Sequence, residues 1–334
     1  MAERVFAPSE LLALSGGYWS ACALHAGVML DVFTPLDQTA AGALSAKELA
    51  AILACDPRAL GMLLDALAAM GLLIKTGEAY GLGSSARQHL VRTAPGYIGF
   101  IIRHHHRLMA SWSRLPEAVR TGRPVRSGAS RGDEGREDFL LGMFNLASAI
   151  APGLAKGIDL SQRKRLLDLG GGPGTYAIHF CLANPGLQAT VFDLPGTKTF
   201  AEATITRLGV SGRVDFQAGN YLLDPVPGGF DAVWLSQILH AEGPEGCTAI
   251  LGKAAGALNP GGVIFVHEFM LDKAMDGPEF PALFSLNMLL GTAAGQAYSE
   301  EQLRDMLARA GGSDIRRLDF RGPNDSGVLR AVID

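Results

Sequence analysis

Apolar positions along the chain follow two regimes, one at helical spacing and one in short continuous runs. In the first, Leu60, Leu63, Leu64, Leu67 and Met70 recur three and four residues apart, which predicts a helix with one face turned to a core. Asp56-Pro57 puts a capping carboxylate before a proline at the first helical position, and Gly71 supplies the stop. Ser45 and Glu48 form a capping box for a shorter helix through Leu49, Ala50 and Leu53. Leu72 to Lys75, a turn at Gly77-Glu78, and Tyr80 to Leu82 predict a small hairpin. Two helices and a hairpin read as a winged-helix unit. A mostly apolar helix over Tyr97 to Trp112 follows. The glycine- and charge-rich stretch from Thr121 to Asp138 then reads as a loop before a helix from Phe139 to Ala155.

From Arg165 the pattern changes to short apolar runs alternating with helical stretches. The runs are Arg165 to Leu169, Ala189 to Asp193, Arg213 to Gln217, Asp231 to Ser236, Gly262 to Glu268, Asp314 to Phe320 and Val328 to Ile333. Strands apolar on both faces, alternating with helices, predict an α/β domain with a mainly parallel sheet. Ligands of such sheets bind beyond the carboxyl ends of the strands, so chemistry is sought there. The expected division is residues 1–158, helical, and residues 159–334, the sheet domain. A length of 334 residues suits two domains at about 150 residues each.

Charge narrows the partners. A net charge of -4, mixed in sign along the chain, gives no electrostatic reason to expect nucleic acid or an anionic membrane. The winged-helix unit carries Arg58 on its second helix but also Asp65 and small apolar residues, so packing on a partner subunit is favoured over DNA. Apolar stretches such as Ala282 to Leu290 fall short of the about 20 residues a bilayer needs, and the first residues do not resemble a secretion signal. Cys22, Cys55, Cys181 and Cys247 are scattered, with no spacing for zinc or a disulfide framework, so a cytoplasmic location and no metal are expected.

The chemistry begins after the first run, at Asp168-Leu169-Gly170-Gly171-Gly172-Pro173-Gly174. Glycines let the chain turn tightly and let backbone N–H groups approach a ligand. A dinucleotide fingerprint would need a third glycine where Thr175 stands, so a nicotinamide oxidoreductase is disfavoured. Asp193, ending the second run, is placed to accept hydrogen bonds from ribose hydroxyls, with helix capping as its other reading. Gly219-Asn220-Tyr221 offers an amide and an aromatic face to a purine.

Taken with Ser236-Gln237-Ile238-Leu239-His240 and Leu258-Asn259-Pro260-Gly261-Gly262, these motifs give the C-terminal half a resemblance to class I S-adenosylmethionine-dependent methyltransferases. The whole chain resembles the O-methyltransferases with an N-terminal winged-helix dimerisation domain, of the caffeate and hydroxyindole type. The resemblance implies a Rossmann-like seven-stranded methyltransferase domain, S-adenosylmethionine as cofactor, a small-molecule acceptor and a homodimer. It implies that Asp168, Gly170, Gly172 and Gly174 hold the methionine part, Asp193 and Leu194 the ribose, and Gly219, Asn220 and Tyr221 the adenine side, with Ser236 and Gln237 beside them. It makes His240 the catalytic base and Glu268 its carboxylate partner.

Three positions depart from the family. Asn220 stands where aspartate is usual, Ala241 follows the histidine in place of aspartate, and Ala297 occupies the place of a second glutamate. Acceptor-pocket candidates by family position are Trp112, Phe139, Met143, Phe284, Asn287, Met288 and Tyr298. Arg103, His105 and His106, inside Arg103-His104-His105-His106-Arg107, are candidates to bind an acceptor carboxylate; three consecutive histidines point in different directions on a helix and cannot all ligate one metal. A hydroxyl acceptor is the main expectation. A thioether has no proton to lose and would tolerate a weakened base, so S-methylation of a methylthio-hydroxy acid is the alternative. A non-catalytic methyltransferase-like regulator is the other, motivated by Ala241 and Ala297.

Overall fold

A computed structural model describes residues 5–126 and 133–334. By contacts the chain divides into two compact units, residues 1–108 and 109–334. The division falls about fifty residues before the boundary expected from the sequence. Its physical reason is the helix at 133–157, whose Ala151, Leu154 and Ala155 pack into the sheet core. The start of that helix at Asp133 also replaces part of the expected loop; residues 127–132 of that loop lie outside the described residues.

In the first unit the order is α1 (Pro8–Gly16), α2 (Tyr18–Met29), α3 (Phe33–Gln38), β1 (Ala43–Ser45), α4 (Ala46–Leu53), α5 (Pro57–Ala69), β2 (Leu73–Thr76), β3 (Ala79–Leu82), α6 (Ser84–His89) and α7 (Gly99–Trp112), the last running across the division. The caps fall where expected. Ser45 Oγ accepts the Glu48 amide at 3.3 Å while Glu48 Oε2 accepts the Ser45 amide at 2.8 Å. Asp56 Oδ1 accepts from Ala59 at 2.8 Å, ahead of Pro57 at the first helical position. Gly77, at φ +58°, turns the hairpin, and β1 adds a third strand in the order β1-β3-β2. Leu60, Leu64 and Leu67 pack with Phe33, Leu36 and Leu49 around the unit's core. Each such leucine contributes about 2 kcal/mol of apolar burial. In contrast, α1 buries nothing, and Leu12, Leu14 and Trp19 are each at least 70% exposed, an apolar face left uncovered among the described residues.

The second unit continues with α8 (Leu115–Thr121), α9 (Asp133–Gly157), β4 (Arg165–Leu169), α10 (Thr175–Ala183), β5 (Gln188–Asp193), α11 (Lys198–Arg207), β6 (Val214–Ala218), β7 (Phe230–Ser236), α12 (Pro244–Gly256), β8 (Leu258–Leu271), α13 (Glu279–Gly291), β9 (Tyr298–Ser299), α14 (Glu300–Arg309), β10 (Gly312–Arg321) and β11 (Ser326–Ile333). The seven long strands lie in the order β10-β11-β8-β7-β4-β5-β6. Pairs from β6 to β8 are parallel; β11 runs antiparallel between β8 and β10. Alternate residues feed two cores, as the pleat requires: Leu166, Trp234 and Phe265 join α9 and α10, while Leu167, Val233 and Ile264 join α12 and α14. By length and composition α9 is apolar enough to cross a membrane, but its inner face is part of the first of these cores.

Two-residue β9 was not foreseen. It pairs with the end of β8, Met270 opposite Tyr298, and this carries Tyr298 into the core at 2% exposure.

Candidate active site

The carboxyl ends of β4, β5, β6 and β7 converge on one rim of the sheet. After β4 the chain turns through Gly170 (φ +72°), Gly172 (φ +55°) and Gly174 (φ +78°), conformations that a side chain would strain. Space is short as well: a Cβ on Gly170 would come within 2.8 Å of Ile238 and 3.4 Å of Tyr221, and one on Gly171 within 2.5 Å of the Asp168 carboxyl carbon. Around Gly172 there is open space instead. The turn therefore bares its backbone on one side and packs on the other, against residues that follow β6 and β7.

Two carboxylates hold this turn. Asp193 Oδ2 accepts from the Gly172 amide at 2.8 Å, and Oδ1 accepts from the Leu194 amide at 2.6 Å and Thr197 Oγ1 at 3.1 Å. The capping reading of Asp193 is thus observed, and a carboxylate with about four lone-pair sites keeps acceptor capacity beyond these bonds. Burial raises its carboxyl, and the amides of Gly172 and Leu194 oppose that. Asp168 lies beneath the turn at 1% exposure, with Oδ2 accepting from Ala177 at 3.2 Å. Burial pushes this carboxyl up to about 7; the Ala177 amide opposes the rise and the Asp193 charge adds to it. Asp168 Oδ1 and Gln237 Oε1 are buried acceptors without a hydrogen-bond partner among the described residues. Unpaired acceptor oxygens beside a bared glycine turn suit a cationic ligand with an ammonium and a sulfonium.

The remaining cofactor candidates divide. Tyr221 touches the glycine turn, and burial pushes its phenol up to about 12. Leu194 is half exposed beside Asp193. Gly219 leaves room for the Phe192 ring, with which a side chain would collide. Asn220 Oδ1 accepts from the Leu222 amide at 2.9 Å, so its carboxamide closes a local turn. Ser236 differs from expectation: its hydroxyl shares a hydrogen bond of 2.8 Å with buried His267 Nδ1, on the α10 side of the sheet.

His240 sits in a single 3₁₀ turn after β7, Leu239 to Ala241. Its Nδ1 lies 2.8 Å from Glu268 Oε2, and Glu268 Oε1 accepts from the Leu239 amide at 2.8 Å. The carboxylate's side chain is only 3% exposed and the imidazole's 13%. One carboxylate therefore fixes both the turn and the ring, leaving Nε2 as the nitrogen not engaged by Glu268. Glu268 does not end its strand, which runs on to Leu271 because β11 and β9 pair beyond it. Phe284 meets the imidazole edge-on at 4.8 Å, and Phe269 and Phe280 join Phe284 in a partly exposed aromatic wall.

Among the acceptor candidates, Phe284 is brought to His240. Asn287 is held by Arg126, whose Nη2 donates to its backbone oxygen at 2.8 Å and to Oδ1 at 3.3 Å. Met288 is nearly buried, while Trp112, Phe139 and Met143 are partly exposed on α7 and α9. Tyr298 is a core residue, not a pocket residue; its hydroxyl donates to the Glu242 carbonyl at 2.6 Å and steadies the segment after His240. Ala297 is buried at 1% exposure, and its amide donates to Ser285 Oγ at 3.0 Å. In the first unit, Arg103 Nη1 donates to the Tyr97 hydroxyl at 3.3 Å and its guanidinium lies over Phe100. His105 and His106 are exposed on α7, His106 edge-on to His25 at 5.6 Å. Burial, with His106 and His105 nearby, holds His25 below the usual histidine range. Neither His25 nor His267 was singled out by the sequence reading.

A sheet of this order, with a glycine turn after β4 and an acid after β5, defines a class I S-adenosylmethionine-dependent methyltransferase. The sequence matches the O-methyltransferase domain over residues 112–313 and the O-methyltransferase dimerisation domain over residues 12–92. The chain belongs to the O-methyltransferase family, uses S-adenosylmethionine and methylates a small molecule. It is 36% identical to a 3-hydroxy-5-methyl-1-naphthoate 3-O-methyltransferase of Streptomyces sahachiroi, covering 97% of this chain and 95% of that one. It is 34% identical to the tetracenomycin polyketide synthesis 8-O-methyl transferase TcmO of Streptomyces glaucescens, covering 98% of each. Human N-acetylserotonin methyltransferase, solved with S-adenosylmethionine, superposes with a TM-score of 0.88 at 26% identity, covering 100% of this chain and 99% of that one. These likenesses favour a hydroxyl acceptor over the thioether alternative, and an enzyme over a regulator.

Proposed function

We propose that the chain methylates a phenolic hydroxyl on a flat, fused-ring aromatic acceptor, with His240 as general base and Glu268 as the group that orients it. The observation that carries this reading is the His240 Nδ1–Glu268 Oε2 hydrogen bond of 2.8 Å beside the Phe269, Phe280 and Phe284 wall. Relatives named for a hydroxynaphthoate and a tetracenomycin polyketide support an aromatic acceptor of that size. Bound S-adenosylmethionine supplies a methyl group on a positive sulfur, already activated for displacement. Residues of the chain do the rest. Asp168, Gly170, Gly172, Gly174 and Gln237 hold the methionine part, Asp193 and Leu194 the ribose, and Gly219, Asn220 and Tyr221 the adenine. Phe284, with Met143, Trp112 and Asn287, positions the ring, and His240 Nε2 takes the hydroxyl proton. Glu268 stabilises the imidazolium that results, as the carboxylate of a catalytic triad does. Arg103, His105 and His106 are proposed to meet an acceptor carboxylate.

Alignment is worth about 7–11 kcal/mol in reactions of this kind, whereas a general base supplies about 10²- to 10⁴-fold. The dyad without help from Ala241 or Ala297 is therefore sufficient. The chain is proposed to act as a cytoplasmic homodimer through its N-terminal unit, residues 1–108, without nucleic acid or membrane; four scattered cysteines fit a reducing compartment. The test is a panel of fused-ring phenols, aliphatic hydroxy acids and thioethers, reading S-adenosylhomocysteine release from wild type and His240→Ala. Turnover confined to phenols, and lowered at least a hundredfold in His240→Ala, is expected. Equal turnover of thioethers, or undiminished activity in the variant, overturns the reading.

A further inference from the structure

We infer that His267 is a positioning residue that, through Ser236, fixes the turn bearing His240. The inference rests on the reading of His240 as the base. Its geometry is a clamp built from two successive residues of β8. Neighbouring residues of a strand point to opposite faces, and here the two faces grip the segment that runs from Ser236, the last residue of β7, to His240. On the α12 side, Glu268 takes the Leu239 amide and His240 Nδ1, both at 2.8 Å. On the α10 side, His267 Nδ1 and Ser236 Oγ share a hydrogen bond of 2.8 Å, and in the plane of the sheet the His267 carbonyl accepts the Gln237 amide at 2.9 Å.

Between the two grips lies Gln237, at φ +59°. A residue other than glycine in this region costs about 1–3 kcal/mol and persists only where its surroundings over-determine it. The surroundings here are the His267–Glu268 dipeptide on one flank and Gly170 on the other, since Ile238 fills the space a Cβ of Gly170 would need. Loosening Ser236 frees the turn to relax toward an ordinary conformation, and His240 moves with it.

His267 is suited to a permanent grip. Its ring is 1% exposed, stacked on Trp234 at 5.9 Å and edge-on to Tyr176 and Phe320, each at 5.8 Å. Tyr176 Oη also lies 3.4 Å from Nδ1. Burial pushes the imidazole down to about 4, with the Glu268 charge opposing, so it stays neutral throughout the neutral pH range. A neutral ring keeps its hydrogen bond to Ser236 across that range. A histidine used only as core filling would leave the hydroxyl of Ser236 without this 2.8 Å bond.

The experiment compares Ser236→Ala, His267→Phe and His267→Asn, each alone and in the His240→Ala background, by single-turnover methyl transfer and S-adenosylmethionine titration. Asparagine can offer a polar atom near the place of Nδ1; phenylalanine cannot. Ser236→Ala and His267→Phe should each lower kcat about 10- to 100-fold, the order expected when a reacting group is displaced by about 1 Å. S-adenosylmethionine affinity should fall less than kcat, because Gln237 alone of the residues that hold the cofactor lies between the two grips, and His267→Asn should recover most of the rate. Combined with His240→Ala, neither should lower the rate further, because they act through His240. An unchanged kcat in Ser236→Ala, or an equal further loss in the His240→Ala background, overturns the clamp. Should His267→Phe not fold, Ser236→Ala decides alone. Activity of His240→Ala by itself judges the base, so the two readings fail separately.

Discussion

Replacing His267 with phenylalanine keeps a ring between Trp234 and Phe320 and removes a group that must stay neutral in the fold. Burial pushes this imidazole from 6.5 down to about 4. A base with a lowered folded pKa binds fewer protons folded than unfolded. Its contribution is thus intact above the unfolded value and is lost as pH falls toward the folded one. Linkage sets that loss at about 2 kcal/mol between pH 7 and pH 5. Asp168 runs the other way. Burial raises its carboxyl from 3.8 to about 7, so the folded state holds the extra proton and gains about 2 kcal/mol over the same fall. The two slopes nearly cancel in the wild type. Urea unfolding at both pH values, followed by tryptophan fluorescence because Trp234 stacks on His267, separates them. Relative to wild type, His267→Phe should become more stable at pH 5 than at pH 7 by about 2 kcal/mol, and Asp168→Asn less stable by about as much. The coupling of Asp168 to Asp193 and of His267 to Glu268 adds a smaller change to each difference, and the remaining titrating groups cancel. Parallel pH dependences in all three proteins would refute the assignment of neutral imidazole and protonated carboxyl to the core.

Glu268→Gln keeps an acceptor for the Leu239 amide but replaces the charge that orients His240; kcat should fall about 10²- to 10⁴-fold with S-adenosylmethionine affinity nearly unchanged, by steady-state kinetics and calorimetry. Gly171→Ala drives a Cβ to 2.5 Å from the Asp168 carboxyl carbon, and the turn must shift; cofactor affinity should drop at least tenfold by calorimetry while the sheet keeps its melting transition. Tyr298→Phe removes the bond to the Glu242 carbonyl and the hydroxyl's contacts with Cys247 and Gln296; it should cost about 1 kcal/mol of stability and leave acceptor KM unchanged, the opposite of what a pocket residue would do.

The sheet was legible because parallel strands buried on both faces leave runs of apolar residues that need no period to be seen. β4 was expected at its observed bounds, and β5, β6 and β7 within one residue. Three-residue β1 and two-residue β9 were not, since their pairing is set by chain elements far away in sequence. The same lack of face information misplaced side chains. Ser236 and Tyr298 sit at family positions next to the site, but tertiary pairing turns the first to His267 and the second into the core. The domain boundary was read from the onset of strands, whereas α9 packs with the sheet that follows it. His267 was hidden by its company: it and Glu268 are the two polar residues of the otherwise apolar run Val263 to Phe269, and Glu268 alone matches the family's carboxylate position.

The missing carboxylates bear on what the site must do. Ala241 and Ala297 remove two groups that the resemblance would place near His240, and Ala297 is sealed at 1% exposure with its amide already bonded. Nothing in that segment can swing in to help, because Gly295 packs directly on the His240 carbonyl; even a Cβ there would come within 2.5 Å of it. Among the described residues the imidazole is hydrogen-bonded by Glu268, with Phe284 and Phe269 packed against the ring, and Glu268 is held by the strand it shares with His267. A base tied at a single point tolerates little slack in its turn. That is why a strained Gln237, gripped from both faces of β8, is more consequential here than it would be beside a histidine with two carboxylates.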